Sequence, residues 1–217
     1  MNQEETWNSR YREAGEGYLF GTEPNRFLRH RGGLLQSGQN ALSIADGEGR
    51  NSVWLAEQGL HVTAVEVSAI AVEKAKKLAL GRHVEVRFLI ADVLHADWPP
   101  AELVNAFDWV VGIFVQFAAP NEREHQFSAI KRATRPGGRI LLQGYTPKQL
   151  EYGTGGPSAI ENLYTADLLR TAFSDWLIEE LVEYEEDIEE GTAHKGRSAL
   201  IGLVARKPVE NKPIRNP

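Results

Sequence analysis

Two short patterns of glycine and carboxylate are the parts of this chain best suited to chemistry. Asp46-Gly47-Glu48-Gly49-Arg50-Asn51 follows the apolar run Ala41-Leu42-Ser43-Ile44-Ala45 and precedes a helical pattern. A Gly-x-Gly turn between strand and helix lets a ligand approach the backbone and meet the free N–H groups of the helix start. Glu66 stands seventeen residues beyond Gly49, at the end of the next apolar run. A carboxylate there can accept both hydrogens of a ribose diol. Asp92, in Ile90-Ala91-Asp92-Val93, repeats the placement after a third run, where it can accept from an adenine amino group with Val93 and Leu94 flanking the ring. Each acid alone reads equally as a helix cap or a solvated loop residue. Jointly they describe an adenosine site at one edge of a sheet.

A second set of candidates lies elsewhere. Arg50 puts a cation in a first helical turn, against the helix dipole, so it is either solvated or holding a carboxylate. His194 sits in Gly191-Thr192-Ala193-His194-Lys195-Gly196-Arg197, which reads as a hairpin loop. It is either a solvent-facing turn residue or an imidazole that orients a substrate or takes its proton, with Arg197 holding an anionic group alongside it. Tyr145, ending the fifth apolar run, completes the catalytic candidates. His30, His61, His83, His95 and His125 lack ligand spacing and there is no Cys, so no metal is expected, and thiolate zinc sites, iron–sulfur clusters and disulfides are excluded. Gly153, Gly155 and Gly156 lack a strand–turn–helix context and read as a mobile lid turn rather than a phosphate loop.

The elements that must position these residues alternate. Strands are expected at Ala41–Ala45, Val62–Glu66, Val84–Ile90, Phe107–Ile113 and Arg139–Tyr145, and helices at Asn51–Gln58, Ala69–Leu80, Asn121–Thr134 and Ala166–Phe173. This is the signature of a parallel sheet covered by helices. Ser68 can cap one helix, Pro120 precedes another, and Pro136-Gly137-Gly138 turns that helix into the next strand. Leu177–Ile188 and Ala199–Ala205 read as an antiparallel hairpin closing the sheet edge. Ahead of the first strand, Trp7 and Tyr11 share a helix face, with Tyr18, Phe20 and Phe27 following. These aromatics either pack a core or form a lid. The expected organisation is one domain, with a lid segment at 1–35, a sheet core at 40–206 and a tail at 207–217.

With 217 residues, 42% hydrophobic and 25% charged, the chain has a globular composition. Its net charge of −6 comes from one stripe, Glu179 to Glu190, which holds eight acids and no base. A solvated strand face is the plain reading of that stripe, and cation binding the other. No basic face is dense enough to favour nucleic acid, Met1 to Asn8 does not read as a secretory signal, and the longest apolar run, Trp109 to Val115, is far short of a membrane span. No nucleic acid, no membrane, a cytoplasmic location and a monomer or weak homodimer are therefore expected.

Adenosine fits a dinucleotide or S-adenosylmethionine. The dinucleotide fingerprint wants Gly or Ala where Ser52 stands, and no Tyr-x-x-x-Lys is present. Gly47 to Asn51, Leu55-Ala56, Gly59 and Val62 to Ser68 resemble the class I S-adenosylmethionine-dependent methyltransferases. More narrowly, Trp7, Arg10-Tyr11, Phe20-Gly21, Glu23-Pro24-Asn25 and Phe27-Leu28 resemble the opening of the tellurite-resistance and thiopurine-type small-molecule enzymes. The resemblance implies a Rossmann-like α/β fold, with a seven-stranded sheet in the order 3-2-1-4-5-7-6, a terminal antiparallel hairpin and helices on both faces. It places Gly47 and Gly49 against the methionine part, Glu66 on the ribose, and Asp92 and Val93 on the adenine, with Ile113 and Phe114 lining the cofactor. Ala45, Asp46, Asn51, Val67, Tyr11 and Phe20 complete the expected cofactor set. His194 falls where the tellurite-type enzymes carry a substrate-side His.

Two departures stand out. Ser43 and Ala45 replace an acid and a glycine of many relatives, leaving Asp46 as the candidate replacement. The segment from Gly112 to Gln116 lacks the Pro-Pro-aromatic element of base-methylating relatives. The expected function is methyl transfer from S-adenosylmethionine, with S-adenosylhomocysteine as product, to a small acceptor such as a thiol or a tellurite- or selenite-type oxyanion. A non-catalytic cofactor-binding or sensor protein and, more weakly, an NAD(P) oxidoreductase are the alternatives.

Overall fold

Strand runs buried on both faces form the centre of the parallel half of the sheet, with a partly exposed run at its edge. The computed structural model describes residues 3–191 and 194–209. The chain opens with α1 (Gln3–Glu13) and the short α2 (Arg26–Arg29), then enters β1 (Asn40–Ile44), α3 (Arg50–Glu57), β2 (His61–Glu66), α4 (Ala69–Gly81), β3 (Val86–Ile90) and β4 (Phe107–Ile113). It continues through α5 (Pro120–Ala133), β5 (Thr134–Tyr145), the short α6 (Gln149–Tyr152), α7 (Ala166–Ala172), β6 (Leu177–Glu190) and β7 (His194–Arg206). The seven strands form one sheet in the order β3-β2-β1-β4-β5-β7-β6, as expected. β1 pairs in parallel with β2 (Ala41 opposite Val62) and with β4 (Ala41 opposite Trp109), whereas β7 is antiparallel to β5 (Leu141 opposite Val204) and to β6.

Helices cover both faces, so two apolar layers form. One gathers Leu42, Ile44, Val110, Phe127, Ile130, Tyr164, Phe173 and Ile201, and the other Phe27, Ala41, Leu55, Val62, Trp109, Val111 and Leu141. The caps follow the expected chemistry. Ser68 Oγ accepts from Ala71 N at the start of α4, Thr165 Oγ1 accepts from Leu168 N at the start of α7, and Pro120 opens α5.

Two strands start earlier than expected. β5 begins at Thr134, which pairs with Phe107 before Arg139 pairs with Trp109. The residues between bulge from the ladder, with Gly137 at φ +77°, so the Pro-Gly-Gly turn sits within the strand. β7 begins at His194 rather than Ala199, because β6 runs on to Glu190 and supplies partners for the whole polar stretch, Glu190 opposite His194 and Asp187 opposite Arg197. His194 is therefore a strand residue and not a loop residue. No described helix is long and apolar enough to cross a membrane.

Candidate active site

The carboxyl ends of β1, β2, β3 and β4 open on one cleft, with α1 and the strap that follows it on the other side. β1 runs into Ala45 at φ +46°, and the chain turns through Gly47 at φ +63° into α3. A left-handed Ala costs about 1 kcal/mol, a local strain that glycine would avoid. A Cβ on Gly47 would lie 2.9 Å from the Tyr11 hydroxyl, so the glycine admits this ring against the loop. Gly49, at φ +91°, has a different task. Its Cβ would lie 2.7 Å from Ala75 Cβ, so it allows α3 to pack on α4. It is not among the residues lining the cleft, whereas Gly47 is.

The two acids behind the loop are tied down. Asp46 accepts from Ser43 Oγ at 2.6 Å and from Ser52 Oγ at 2.5 Å, with Ser52 N at 3.3 Å. Burial raises its pKa to about 6 against these donors. Ser43 thus bears on the cleft only through its hydrogen bond to Asp46. Glu66 accepts from Gly47 N at 3.0 Å and Ser68 N at 2.9 Å, and its pKa is raised because burial outweighs those donors. One carboxylate therefore joins the ends of β1 and β2. Asp92 accepts from Leu94 N at 2.8 Å at the end of β3.

Around this rim lies a cleft whose closed-off cavity is about 100 Å³, opening into a larger space continuous with solvent. The expected cofactor residues Ala45, Asp46, Gly47, Asn51, Glu66, Val67, Asp92, Val93, Ile113, Phe114, Tyr11 and Phe20 all line it, joined by Trp7, Arg50, Phe117 and His194. Phe114, at φ +56°, turns sharply after β4 and stacks on Tyr145, ring centroids 4.6 Å apart.

The aromatics ahead of β1 close over the opening. Trp7 stacks on Tyr11 at 5.7 Å, and Phe20 meets His194 at 4.7 Å. Lys74 Nζ holds this segment down, donating to Tyr11 O at 3.2 Å, Gly17 O at 2.7 Å and Glu48 Oε1 at 2.8 Å. Leu19 N donates to Glu48 Oε2 at 2.7 Å, and Ser68 Oγ to Asn8 Oδ1 at 2.6 Å. Trp7, Tyr11 and Phe20 line the cleft, while Phe27 belongs to the core.

The expected catalytic trio separates. His194 is buried in the cleft wall, between Phe20 and Phe114. Burial lowers its pKa to about 3, helped by the Arg50 and Arg10 charges, so it is neutral at neutral pH and is a poor proton acceptor there. Arg197 does not accompany it. The two are three positions apart in a strand and face opposite ways, and Arg197 pairs on the exposed side with Glu185 at 3.3 Å and Asp187 at 3.5 Å. Tyr145 lies behind Phe114, outside the cleft lining, and burial raises its pKa well above the ordinary phenol value. The turn with Gly153, Gly155 and Gly156 is pinned rather than placed over the cleft. Thr154 Oγ1 donates to Arg197 O at 2.6 Å, and a Cβ on Gly156 would lie 2.6 Å from Tyr145 Cδ2.

Arg50 takes the place expected of Arg197, and of its two readings the carboxylate holder is the one found. Its Nη2 donates to Glu190 Oε2 at 2.7 Å, and both side chains are buried. Asn25 Nδ2 donates to Glu190 Oε1 at 2.9 Å and to Gln143 Oε1 at 2.6 Å, and Gln143 Nε2 donates to Tyr184 Oη at 2.5 Å. This network was missed because Glu190 looks like one more acid in a charged stripe. The rest of the stripe is the partly solvated edge strand, paired with Arg139, Arg31, Lys148 and Arg26. Among the described residues, no group of three or more His, Cys, Asp or Glu could hold a metal ion.

Sheet order and cleft together define the class I, Rossmann-like methyltransferase architecture. Residues 41–138 match the family model described as a methyltransferase domain, a stretch that carries Asp46, Glu66, Asp92 and Ile113. The comparison with curated proteins finds no match. Among solved structures, the chain is similar to one described as "Conversion of a Disulfide Bond into a Thioacetal Group during Echinomycin Biosynthesis" (TM-score 0.79, 19% identity, 97% of this chain and 94% of that one). It is also similar to TehB from Haemophilus influenzae (TM-score 0.65, 17% identity, 83% of this chain and 61% of that one). A third is magnesium protoporphyrin IX methyltransferase from Synechocystis with bound SAH (TM-score 0.61, 16% identity, 94% and 82%). At these identities the likeness is one of fold.

Proposed function

We propose that the protein catalyses methyl transfer from S-adenosylmethionine to a small soft nucleophile, a thiol in the first place. The observation that carries this reading is the convergence of Gly47, Glu66 and Asp92, from three successive strand ends, on one cleft roofed by Tyr11 and Phe20. When bound, the cofactor supplies an electrophilic methyl: the acceptor's lone pair forms the new bond to carbon as the carbon–sulfur bond breaks, and that electron pair stays on the cofactor's sulfur.

The chain's own residues then have three tasks. Glu66 and Asp92 offer carboxylate oxygens to hydroxyl and amino donors of the nucleoside. Val67, Val93 and Ile113 give its ring an apolar bed. Trp7, Tyr11, Phe20 and Phe114 exclude water, which favours a step in which a sulfonium and an anion cancel their charges.

Among the described residues of the cleft, Glu66 and Asp92 are assigned to the nucleoside, and the remaining candidates are poor general bases. His194 is neutral with a pKa of about 3, and the oxygens of Asp46 are occupied by Ser43 and Ser52. An acceptor that ionises on its own, as a thiol or a chalcogen oxyanion does, suits such a site better than an alcohol or amine that needs deprotonation. The similar fold described for disulfide-to-thioacetal conversion supports sulfur as the acceptor atom. The test is calorimetry with S-adenosylhomocysteine, followed by a screen for its release from S-adenosylmethionine with thiols, selenite, tellurite and phenols. Binding without turnover on any acceptor supports a sensor; no binding refutes the reading.

A further inference from the structure

Arg50 is held by only one side. Its Nη2 donates to Glu190, whereas Nη1 is buried and has no hydrogen-bond partner among the described residues. The side chain is 8% exposed and lines the cleft. A guanidinium N–H left without an acceptor is costly, because its desolvation is uncompensated. His194, 9% exposed and lining the same cleft, has a buried Nδ1 that also lacks a partner among the described residues. The two side chains come from different elements, α3 and β7, and Phe20 and Phe114 flank the imidazole at 4.7 and 4.4 Å.

The electrostatics agree with the geometry. The charges on Arg50 and Arg10 both disfavour a proton on His194. A position where two cations repel a third positive charge attracts a negative one. Glu190 offsets part of this field, but both of its oxygens are already engaged by Arg50 and Asn25.

We propose that Arg50 and His194 form an anion-binding subsite that selects methyl acceptors carrying a negatively charged group, with Glu190 as a positioning residue that holds the guanidinium by its other side. The proposal rests on the methyltransferase reading and adds the acceptor's charge class to it. The ligand chemistry is that of a carboxylate or similar small anion, matched by a planar donor fork and a neutral imidazole.

The test uses the full chain. S-adenosylhomocysteine affinity is first measured by calorimetry, and the loaded protein is then titrated with mercaptoacetate and with 2-mercaptoethanol, thiols of similar size with and without a carboxylate, by ligand-observed NMR. Wild type is expected to bind mercaptoacetate at least about tenfold more tightly. The double variant Arg50→Met/Glu190→Gln removes both charges together, leaving no buried ion alone, and should bring the ratio to within about twofold while S-adenosylhomocysteine still binds. Arg50→Lys keeps the charge and the ion pair but loses the fork, and should lower the ratio at least about threefold. A ratio near one in wild type, or an unchanged ratio in both variants, overturns the proposal. So does a double variant that loses S-adenosylhomocysteine but keeps 5′-methylthioadenosine, since Arg50 would then serve the cofactor's carboxylate. Wild type that binds no S-adenosylhomocysteine removes the methyltransferase reading itself, and the first titration alone reports that.

Discussion

Glu66 does two jobs with one carboxylate, joining Gly47 to Ser68 while facing the cleft. Glu66→Gln keeps the shape but leaves one acceptor oxygen where two are in use. Charge-assisted hydrogen bonds contribute roughly 1.5–3 kcal/mol each, so S-adenosylhomocysteine affinity should fall at least about tenfold, as read by calorimetry. His194 and Asp46 carry opposite pH signatures. The folded pKa of Asp46, about 6, lies above its unfolded value, so its contribution is fully present at low pH and fades as pH rises through 6. The folded pKa of His194, about 3, lies below its unfolded value of about 6.5, so its contribution is fully present above 6.5 and is lost as pH falls toward 3. Between about pH 4 and 6 the two slopes oppose each other. His194→Phe removes one of them: the variant's unfolding free energy should gain on wild type by about 1.4 kcal/mol per unit as pH falls through this range, measured by urea titration. A gap that does not move with pH would mean that His194 is not buried in its neutral form.

At the scale of elements, the cover over the cleft depends on the turn between β6 and β7. Gly191 stands at φ +71°, and a Cβ there would run into Leu19 O and come within 2.6 Å of Gly21 N. Gly191→Ala forces the strap and the hairpin apart. Gly15, at φ +58° with nothing within 4 Å of an added Cβ, isolates the backbone strain alone. Gly15→Ala should cost about 1 kcal/mol, whereas Gly191→Ala should cost about 1–3 kcal/mol more and weaken S-adenosylhomocysteine binding as well. Thermal unfolding with and without ligand checks both. Equal losses in the two variants would show that the strap does not bear on the hairpin.

On the scale of the whole molecule, the cover and the sheet are separable. Among the described residues, no member of either apolar layer precedes Phe27, although Tyr11 in the cover is equally buried. Deleting residues 1–22 should therefore leave a cooperatively unfolding sheet by circular dichroism, with affinity for S-adenosylhomocysteine reduced at least about tenfold as Trp7, Tyr11 and Phe20 are lost. Loss of cooperative unfolding would assign these aromatics to the core instead. The acid stripe also acts at this scale. β6 is an edge strand, and its charged side chains guard an edge that could otherwise pair with another sheet.

The parallel half of the fold, and with it the cofactor rim, was legible in the residue order. β1, β2 and β4 are apolar runs separated by helical patterns, and chain connectivity in such units places Gly47, Glu66 and Asp92 at successive strand ends on one side. The N-terminal aromatics were legible as either a core or a lid, since ring spacing alone does not say what the rings face. The wall formed by β7 was not legible. Its first residues are polar, and only the partner strand, running on to Glu190, makes them a strand. Period two then turns His194 inward and Arg197 outward, though both belong to one short motif. The pairing of β6 with β7, Glu190 opposite His194, and of β7 with β5 brings Glu190 to Arg50, 140 positions away in the chain. Local spacing determined where each carboxylate ends its strand; long-range pairing alone decided which cation and which imidazole share the cleft, because that choice depends on register across strands the sequence does not place side by side.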